Sequence, residues 1–575
     1  MVDLNAENYR KNAELLLEGI WYSGLPDLLD INELMRGIDT VFSMINNGKV
    51  REFSQESDGF IVGWNHISSP PYIRSPGVEA LTYFDFKKNN SLREMQIPNL
   101  LHYISFMYNT LTVFDPLFKK LYLLNEYSKY IENSNSYLVF ADLFEIYNYD
   151  ELVDLGIGGT FTTKNNKANS SAALSENKRR MLDAENAYLY SLKMDIESFF
   201  PSLYTHNFEK MGNRLPFSNL SCDLRYYTFL DAFHQRINNN QTKGIPAGVF
   251  SSHIAAELCM LCVDEEIRQH IKRGKHDVGF IRYVDDIVFF SDSESALKAL
   301  FPTVQSILNN FRLRINGNKT EAIHSVLSIQ PSYITELERL FPALDSNNET
   351  SQELTLPMFF EFRKYIGDCL STGRSSQVRT MLSIMFKRIS DNQLKTPDID
   401  DQLFFFFLRL VFEDHTLVSH VFRLLDLLLS NSEGKSKMLC ALEKKRSIID
   451  TEYPDTTLQI WYYYILFRHS GDTSRSSLIN SLQGKKYNPL VIASMVLPGK
   501  KNNLKLFSYI RDTYVTESGS QQWKNEIMYS KWWLPLFKIF RYDSYNYCNF
   551  MKSENFPLVL RAFPLHIDDS QLYFE

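Results

Sequence analysis

This chain of 575 residues has few cysteines, no long apolar run and no excess of positive charge. The six cysteines are scattered, and Cys259 and Cys262 lack the second pair of ligands that a zinc site needs. The most apolar stretch, residues 403–412, contains Arg409 and is shorter than a membrane span. Together with the absence of a recognisable signal peptide, these features predict a cytoplasmic protein with reduced cysteines and no membrane partner.

The charge balance argues against a protein that coats long nucleic acids. The net charge is −7, with 61 basic and 68 acidic side chains. Neutralisation of phosphates supplies much of the non-specific affinity of proteins for nucleic acids, so any contact with phosphates must be local. The strongest basic cluster, Lys178 to Arg180, follows a polar loop at residues 163–171. This cluster is either a local contact for phosphates or a solvated helix face.

Helical spacing dominates the last third of the chain. A polar, turn-rich linker is predicted at residues 344–353. Beyond it, apolar residues recur at helical spacing in segments near residues 358–370, 376–390, 401–412, 417–431 and 435–449. Two later stretches, residues 457–468 and 531–540, are rich in Trp, Tyr and Phe. We expect these aromatic side chains in the core and at a subunit interface.

Two adjacent carboxylates, Asp285 and Asp286, stand between two short apolar runs. β-Branched and aromatic residues fill the flanks, residues 278–282 and 287–291, so the acids are predicted at the tip of a β-hairpin. Two like charges held in a tight turn repel each other unless a cation lies between them. Mg²⁺, which takes oxygen ligands, suits such a turn, and the alternative is a solvated polar turn without a metal.

Three more segments bear on this choice. Asp195 lies on another apolar run, residues 190–200, and acids from separate strands are what two-metal phosphoryl transfer needs. The loop Gly244–Ser252 has glycines at 244 and 248, which let the backbone approach a ligand closely. A strand, a turn and then Lys319 are predicted over residues 313–320. This combination favours a catalytic metal site over a solvated turn.

In this order and spacing, the four segments resemble the palm of reverse transcriptases, with motifs A, B, C and D at Asp195, Gly244–Ser252, Tyr283–Asp286 and Lys319. The resemblance implies that Asp195, Asp285 and Asp286 are the catalytic metal ligands, with Mg²⁺ as the cofactor and Mn²⁺ as an alternative. It also implies that Lys319 lies near the leaving pyrophosphate and donates a proton or stabilises its charge. The expected substrates are deoxynucleoside triphosphates.

Further residues resemble the family's substrate site. In the fingers, Arg93 stands five residues before a proline and would contact the incoming triphosphate. Phe200, five residues after the motif A aspartate, matches the bulky ring that blocks a ribose 2′-hydroxyl and so implies deoxynucleotides. Each also has a simpler interpretation, a surface arginine and a core phenylalanine. The resemblance implies that the remaining substrate-binding residues are Gly248, Ser252 and Tyr283.

One departure from the family's pattern narrows the resemblance. Ala247 stands where conventional members usually have glutamine, which removes a side-chain contact near the nucleotide or template. Through this departure, and through the residues that follow motifs A and B, the chain resembles the bacterial abortive-infection and defence-associated reverse transcriptases. That subgroup implies DNA synthesis without a template, priming on a protein hydroxyl and a single-stranded DNA product. We also expect a homo-oligomer, with RNA as a further partner.

The resemblance implies an α+β fold, in which a reverse-transcriptase palm and fingers precede an all-α, HEAT-like helical-repeat domain. The expected division places N-terminal helices and fingers at residues 1–185, the palm at 186–335 and the helical domain at 345–575. The leading functional prediction is antiphage defence through DNA synthesis. Two alternatives stay open: a conventional RNA-templated reverse transcriptase of the retron or group II intron kind, and a catalytically silent scaffold that binds a phage or host protein.

Overall fold

The computed structural model describes residues 4–5, 9–21, 24–47, 53–55, 61–64, 78–119, 133–134, 179–211, 225–274, 277–317, 320–325, 352–396, 399–431, 434–498, 500–520 and 523–542. Lys178 and Lys319, which the sequence singles out, lie outside these ranges, as do the polar loop at 163–171 and residues 344–351 of the predicted linker.

The N-terminal part combines helices with two short hairpin-like pairs of strands. It contains α1 (Tyr9–Glu18), α2 (Ile31–Asn46), β1 (Phe53–Gln55), β2 (Ile61–Trp64), β3 (Leu81–Phe86), β4 (Leu92–Ile97) and α3 (Leu100–Thr112). β1 pairs antiparallel with β2, and β3 pairs antiparallel with β4. Asn99 caps α3, because its side chain accepts a hydrogen bond from the N–H of Leu101.

The central part is built on one antiparallel sheet. Its strands are β5 (Tyr190–Asp195), β6 (Gly279–Tyr283), β7 (Asp286–Ser291) and β8 (Glu321–Ser325), and their order across the sheet is β6-β7-β5-β8. On β5, Leu192 and Met194 are buried and pair with the buried Phe289 and Ile287 of β7. Because side chains alternate along a strand, Asp195 lies on a different face from these apolar residues.

Helices of the central part precede and follow the loop Gly244–Val249 along the chain. They are α4 (Phe199–Ser202), α5 (His206–Met211), α6 (Arg225–Ile237), α7 (Phe250–Gly274) and α8 (Glu294–Asn310), and residues 179–187 are also helical. α8 packs against β5 and β7. Cys259 and Cys262 are buried within α7, where they pack in the core.

The C-terminal part is almost entirely helical, as the sequence predicts. After β9 (Gln352–Glu353) it contains α9 (Leu356–Ser371), α10 (Ser375–Ser390), β10 (Leu394–Lys395), α11 (Asp400–Glu413), α12 (Val418–Asn431), α13 (Lys435–Glu443), α14 (Arg446–Glu452), α15 (Thr457–His469), α16 (Asp472–Asn480), α17 (Pro489–Ser494), α18 (Lys500–Ser518), α19 (Trp523–Glu526) and α20 (Trp533–Tyr542). Within the described ranges, no helix has both the length and the apolar character of a membrane span. The HEAT-like repeat stays a prediction.

Two details of the C-terminal part differ from the sequence prediction. The segment predicted as one helix at 435–449 is two helices, because α13 ends at Glu443 and α14 begins at Arg446. The end of the predicted linker forms β9, which pairs in parallel with β10. This pairing joins backbone segments about forty residues apart, so local turn propensity could not reveal it.

Side-chain amides tie the C-terminal helices to the N-terminal part. The Asn99 amide donates to the carbonyl of Met528 at 2.8 Å. The Asn488 amide donates to the carbonyl of Thr82 on β3, also at 2.8 Å, while its oxygen caps α17 at Leu490. Each asparagine therefore caps a helix and crosses the interface at once, so the two parts share hydrogen bonds as well as apolar packing.

We expect Asn99→Ala to lower the free energy of unfolding by about 1–3 kcal/mol, because it removes the cap of α3 and leaves the buried Met528 carbonyl without its donor. Urea denaturation followed by tryptophan fluorescence measures the change. Asn99→Ser is the matched control, since serine keeps the cap but is too short to reach Met528. If the Ser variant is as stable as the parent, the bond across the interface contributes nothing.

Candidate active site

The two strands that carry the predicted acids are adjacent and in register. β5 ends at Asp195 and β7 begins at Asp286, and these residues lie directly opposite each other in the antiparallel ladder. Side chains at such positions share one face of the sheet, with Cβ atoms about 4.5–5.5 Å apart. The sheet therefore brings together two acids that stand far apart in the sequence.

The third acid lies in the turn between β6 and β7. Tyr283 pairs with Asp286 across this turn, so Val284 and Asp285 form its tip. Val284 has a φ of 56°, in the left-handed region that a β-branched residue rarely adopts. The carbonyl of Asp285 accepts a hydrogen bond from the N–H of Ile196 at 3.3 Å, which holds the turn against the end of β5.

Two polar neighbours approach the acids, and neither is among the site residues predicted from the sequence. The Asn316 amide donates to Oδ2 of Asp195 at 3.1 Å, and its N–H donates to the Asp195 carbonyl at 2.8 Å. Nζ of Lys193 lies 4.0 Å from Oδ1 of Asp286. Lys193 stands two residues before Asp195, so strand periodicity places it on the same face and could have revealed it. Asn316 reaches the site only through the tertiary fold.

The segment around Asn316 differs from the prediction of a strand over residues 313–315. The structure has a single bridge between Ile315 and Ile196, and the N–H of Glu197 donates to the Arg314 carbonyl at 2.8 Å. Arg312, with a φ of 63°, redirects the backbone just after α8. The segment therefore packs across the end of β5 rather than extending the sheet. The contact of Lys319 with pyrophosphate stays a prediction, because that residue lies outside the described ranges.

The donor set at the acids suits a hard divalent cation. Three carboxylates supply the oxygen ligands that Mg²⁺ and Mn²⁺ prefer. Asp195 is only 5% exposed, whereas Asp285 and Asp286 are half-buried and face outward at the turn. A cation bound here would meet one shielded carboxylate, that of Asp195, and two more accessible ones from the turn.

A second group of candidate ligands lies on α5 and α6. Among the described residues, the set of three whose ligand atoms all lie within 4.8 Å of one another is His206, Glu209 and Asp231, and the three aspartates do not form such a set. Asp231 already accepts hydrogen bonds, because Nδ1 of His206 lies at 2.8 Å and the Gln235 amide lies at 2.5 Å. These contacts satisfy the Asp231 carboxylate without a metal.

The loop predicted as motif B is hydrogen-bonded to the chain that follows Asp195. The N–H of Gly244 donates to the Leu203 carbonyl at 2.8 Å, and the N–H of Ile245 donates to the Phe200 carbonyl at 3.0 Å. Gly244 and Gly248 have φ values of 87° and 84°, a region where glycine is free of strain. These contacts place the predicted motifs A and B side by side.

Phe200 lies between this loop and the start of α7. Its ring is half-buried and meets the rings of Phe199 and His253, with centroids 5.2 and 5.0 Å away. Burial lowers the pKa of His253 to about 4, so this imidazole is neutral at pH 7. Ala247 is also half-buried and packs against the core. The surroundings of Phe200 are thus largely apolar, as steric selection of a sugar would require.

The other residues predicted to bind substrate lie in varied settings. Gly248 is half-buried and Tyr283 is 36% exposed, with a pKa that partial burial raises. Ser252 is fully buried near the start of α7, so in this structure its hydroxyl does not face an open cleft. Arg93 is exposed on β4 opposite Asp85, on a hairpin separate from the sheet that carries the aspartates. Their contacts with substrate stay predictions.

The basic cluster ahead of β5 makes internal contacts. Arg179 pairs with Asp183 at 3.0 Å, and Arg180 donates to the Ser134 carbonyl at 3.2 Å. Of the two interpretations open from the sequence, these contacts favour a helix face for Arg179. Arg180 acts instead as a link between the helical residues 179–187 and the segment at Asn133–Ser134.

Comparison with known proteins identifies the class of the central part. Residues 159–355 match the family model described as reverse transcriptase (RNA-dependent DNA polymerase). This match includes Asp195, the segment Gly244–Ser252 and the turn that carries Asp285 and Asp286. The chain therefore contains a reverse-transcriptase domain, which is a nucleotidyltransferase domain.

Among solved structures, the chain is similar to telomerases of two Candida species. The telomerase of Candida albicans in complex with a TWJ fragment of telomeric RNA is 13% identical, with 73% of this chain and 68% of that chain covered and a TM-score of 0.26. The corresponding complex of Candida tropicalis is 10% identical, with 72% and 65% covered and a TM-score of 0.28. The apo telomerase of Candida tropicalis is 12% identical, with 87% and 71% covered and a TM-score of 0.26.

We expect Gly244→Ala to lower the free energy of unfolding by about 1–2 kcal/mol, because the left-handed backbone strains any residue with a Cβ. The added Cβ would also lie 3.2 Å from the Pro201 carbonyl. Gly367→Ala, in the middle of α9 with no atom within 4 Å of its added Cβ, should instead raise stability by up to about 1 kcal/mol. Denaturation of both variants measures the contrast, and equal stability of the two would refute the strain at Gly244.

Proposed function

We propose that this chain is a metal-dependent DNA polymerase of the reverse-transcriptase class. The observation that carries the proposal is the register of β5 and β7, which places Asp195 opposite Asp286 within the segment that matches the reverse-transcriptase model. Asp195, Asp285 and Asp286 would hold Mg²⁺, with Mn²⁺ as an alternative. Bound ions of this kind activate the attacking oxygen and stabilise the leaving oxygen.

The chain's own residues would align the reactants. The Asn316 amide orients the Asp195 carboxylate, and Lys193 balances charge beside Asp286. A 3′-hydroxyl or a protein hydroxyl attacks the α-phosphate of a deoxynucleoside triphosphate, so a new P–O bond forms and the bond to pyrophosphate breaks. Arg93 is the proposed partner of the incoming triphosphate, and Lys319 that of the leaving pyrophosphate.

The side chains around the motif B loop would select the nucleotide. Phe200 is the proposed block against a ribose 2′-hydroxyl, supported by its apolar packing between Phe199 and His253. Gly248 would let the backbone approach the nucleotide, and Tyr283 would contact it from the turn. Ser252 would join them only after a movement at the start of α7 that uncovers its hydroxyl.

We further propose synthesis without a template, primed by a protein hydroxyl, with single-stranded DNA as the product. Ala247 presents a methyl group where the resemblance expects a glutamine. The net charge of −7 provides little general attraction for an extended duplex. Arg179 and Arg180, in the strongest basic cluster, already make contacts within the protein.

The wider setting is proposed from the resemblance of the motifs alone. It comprises antiphage defence in the cytoplasm, a homo-oligomer and RNA as a further partner. The same resemblance supports the division into N-terminal helices and fingers at residues 1–185, the palm at 186–335 and a HEAT-like domain at 345–575.

A second candidate is RNA-templated synthesis of DNA. The model that matches residues 159–355 is described as an RNA-dependent DNA polymerase, which favours this candidate. Both candidates use the same acids, so they differ in what the enzyme needs besides deoxynucleotides.

An incorporation assay should separate the two candidate functions. Purified protein is given Mn²⁺ or Mg²⁺ and deoxynucleotides, with and without an RNA template and DNA primer. Incorporation without added nucleic acid, with the product attached to protein after denaturation, is the expected result. Incorporation only with the RNA template would support the second candidate. No incorporation under any condition would overturn both and favour the scaffold.

In the same assay, Asp285→Ala with Asp286→Ala should reduce incorporation by about a thousandfold or more, because a metal clamp contributes several kcal/mol to the transition state. The melting temperature should stay near that of the parent, since both side chains are only half-buried and lie outside the apolar core. Asp472→Ala, whose side chain is 92% exposed, is the control and should change neither. Undiminished synthesis by the double variant would remove these acids from the site.

Replacing Phe200 with Ala should raise the use of ribonucleotides relative to deoxynucleotides by at least about tenfold, because the ring no longer excludes the 2′-hydroxyl. Competition between labelled ribonucleotides and deoxynucleotides measures the ratio. Phe200→Tyr keeps the bulk and should leave the ratio low. If the Ala variant selects sugars as the parent does, the ring has no part in selection.

A further inference from the structure

An ion cluster is buried directly beneath the turn that carries Asp285 and Asp286. Arg282, on β6, is completely buried, and its guanidinium lies between two carboxylates of α7. Nη2 donates to Asp264 at 2.8 Å and Nε donates to it at 2.9 Å, while Nη1 donates to Glu257 at 2.9 Å. Both acids are also buried, with exposures of 0% and 4%.

The acids of this cluster have little freedom to move. Glu257 also accepts a hydrogen bond from the Ser134 hydroxyl at 2.6 Å, and the N–H of Arg282 donates to the Asn133 carbonyl at 2.8 Å. Burial alone would lower the pKa of Arg282, but the carboxylates of Asp264 and Glu257 raise it above its ordinary value. The guanidinium is therefore a fixed cation with a fixed orientation.

The energetics of burial indicate that stability alone does not explain this cluster. A buried ion cluster commonly contributes no more to stability than apolar residues of the same size would. Such clusters are better explained where they impose one geometry on a nearby element. The nearby element here is the turn at Val284.

One hydrogen bond joins the cluster to the turn. Nη1 of Arg282 donates to the Val284 carbonyl at 3.2 Å. The left-handed backbone of Val284 costs roughly 1–2 kcal/mol for a residue with a Cβ, so the turn needs an external contact to hold it. The Val284 carbonyl belongs to the peptide bond that leads into Asp285, so its direction sets the direction of that residue.

The same cluster reaches the other side of the site. Glu257 and Asp264 lie on α7, which begins at Phe250 immediately after the loop that carries Gly248. Arg282 thus connects the helix behind motif B with the turn of motif C through one rigid group. A change in either element would be transmitted to the other through the guanidinium.

We propose that Arg282 is a positioning residue that holds the Val284 carbonyl and thereby sets the affinity of Asp285 and Asp286 for a divalent cation. This inference rests on the proposed metal site, and it adds to it the group that fixes the site's shape. Glu257 and Asp264 act through Arg282 by orienting its guanidinium.

The test measures the affinity of the protein for Mn²⁺ by electron paramagnetic resonance, without nucleotides. Binding that persists in the Asp285→Ala, Asp286→Ala variant is subtracted, so that only binding at the aspartates is counted. Arg282→Lys keeps the charge but cannot contact both acids and the Val284 carbonyl, so its aspartate-dependent Mn²⁺ dissociation constant should rise about tenfold. Arg273→Lys, on the exposed end of the same helix α7, should leave the constant unchanged.

A rescue separates positioning from general stability. Glycine adopts a left-handed backbone without strain, so Val284→Gly should recover most of the Mn²⁺ affinity lost in Arg282→Lys. A purely structural contribution of Arg282 would lower the melting temperature but leave the affinity of the folded protein as it is in the parent. That outcome would overturn the inference.

A second variant covers the case in which Arg282→Lys does not fold. Arg282→Met combined with Glu257→Leu and Asp264→Leu removes all charges together, a replacement that is often neutral for stability. We expect it to fold and to bind Mn²⁺ about tenfold more weakly, and parental affinity would refute the inference.

Parental protein that binds Mn²⁺ at the aspartates but incorporates no nucleotide would overturn the proposed polymerase function alone. Absence of aspartate-dependent Mn²⁺ binding in the parent would overturn the inference itself.

Discussion

The antiparallel pairing of β5 with β7 is the constraint on which the candidate site depends. Its register sets Leu192 opposite Phe289 and Met194 opposite Ile287 on the buried face. The alternate positions then place Asp195 opposite Asp286 on the other face. A slip of one residue would turn the acids toward the core and the apolar side chains toward solvent, so the hydrophobic effect itself holds the carboxylates in place. Packing on the buried face of the sheet therefore also fixes the positions of the acids on the other face.

Around this pair, contacts from distant segments limit how the acids can move. Asn316 clamps the end of β5 from the segment after α8, and Ile196 binds the carbonyl of Asp285. Arg282 supports the turn from below and ties it to α7. Preorganisation of this kind matters for phosphoryl transfer, because little of the chemistry is covalent work by the protein and most of it is alignment and charge stabilisation.

The C-terminal helices belong to the same packed structure as the N-terminal part. β3 lies against them through the bridge between Phe84 and Thr456, and Asn488 binds the carbonyl of Thr82. The hairpin that carries Arg93 is therefore braced by the C-terminal helices at its β3 strand. The C-terminal helices therefore contact the same hairpin that carries Arg93, the proposed partner of the incoming triphosphate.

Local patterns in the sequence were sufficient to predict the hairpin at residues 279–291, the strand that ends at Asp195 and most C-terminal helices, because strand alternation and helical spacing act over a few residues. The order of the motifs, through the resemblance to reverse transcriptases, predicted that the three acids share one site, and the register of β5 with β7 places Asp195 opposite Asp286. Only the tertiary structure revealed the contact of Asn316 with Asp195 and the buried cluster of Arg282, Glu257 and Asp264 that reaches the turn at Val284. It alone also revealed the burial of Ser252 and the pairing of β9 with β10. These features arise from contacts between segments far apart in the chain, and the free energy of such contacts depends on packing and desolvation that no local pattern encodes.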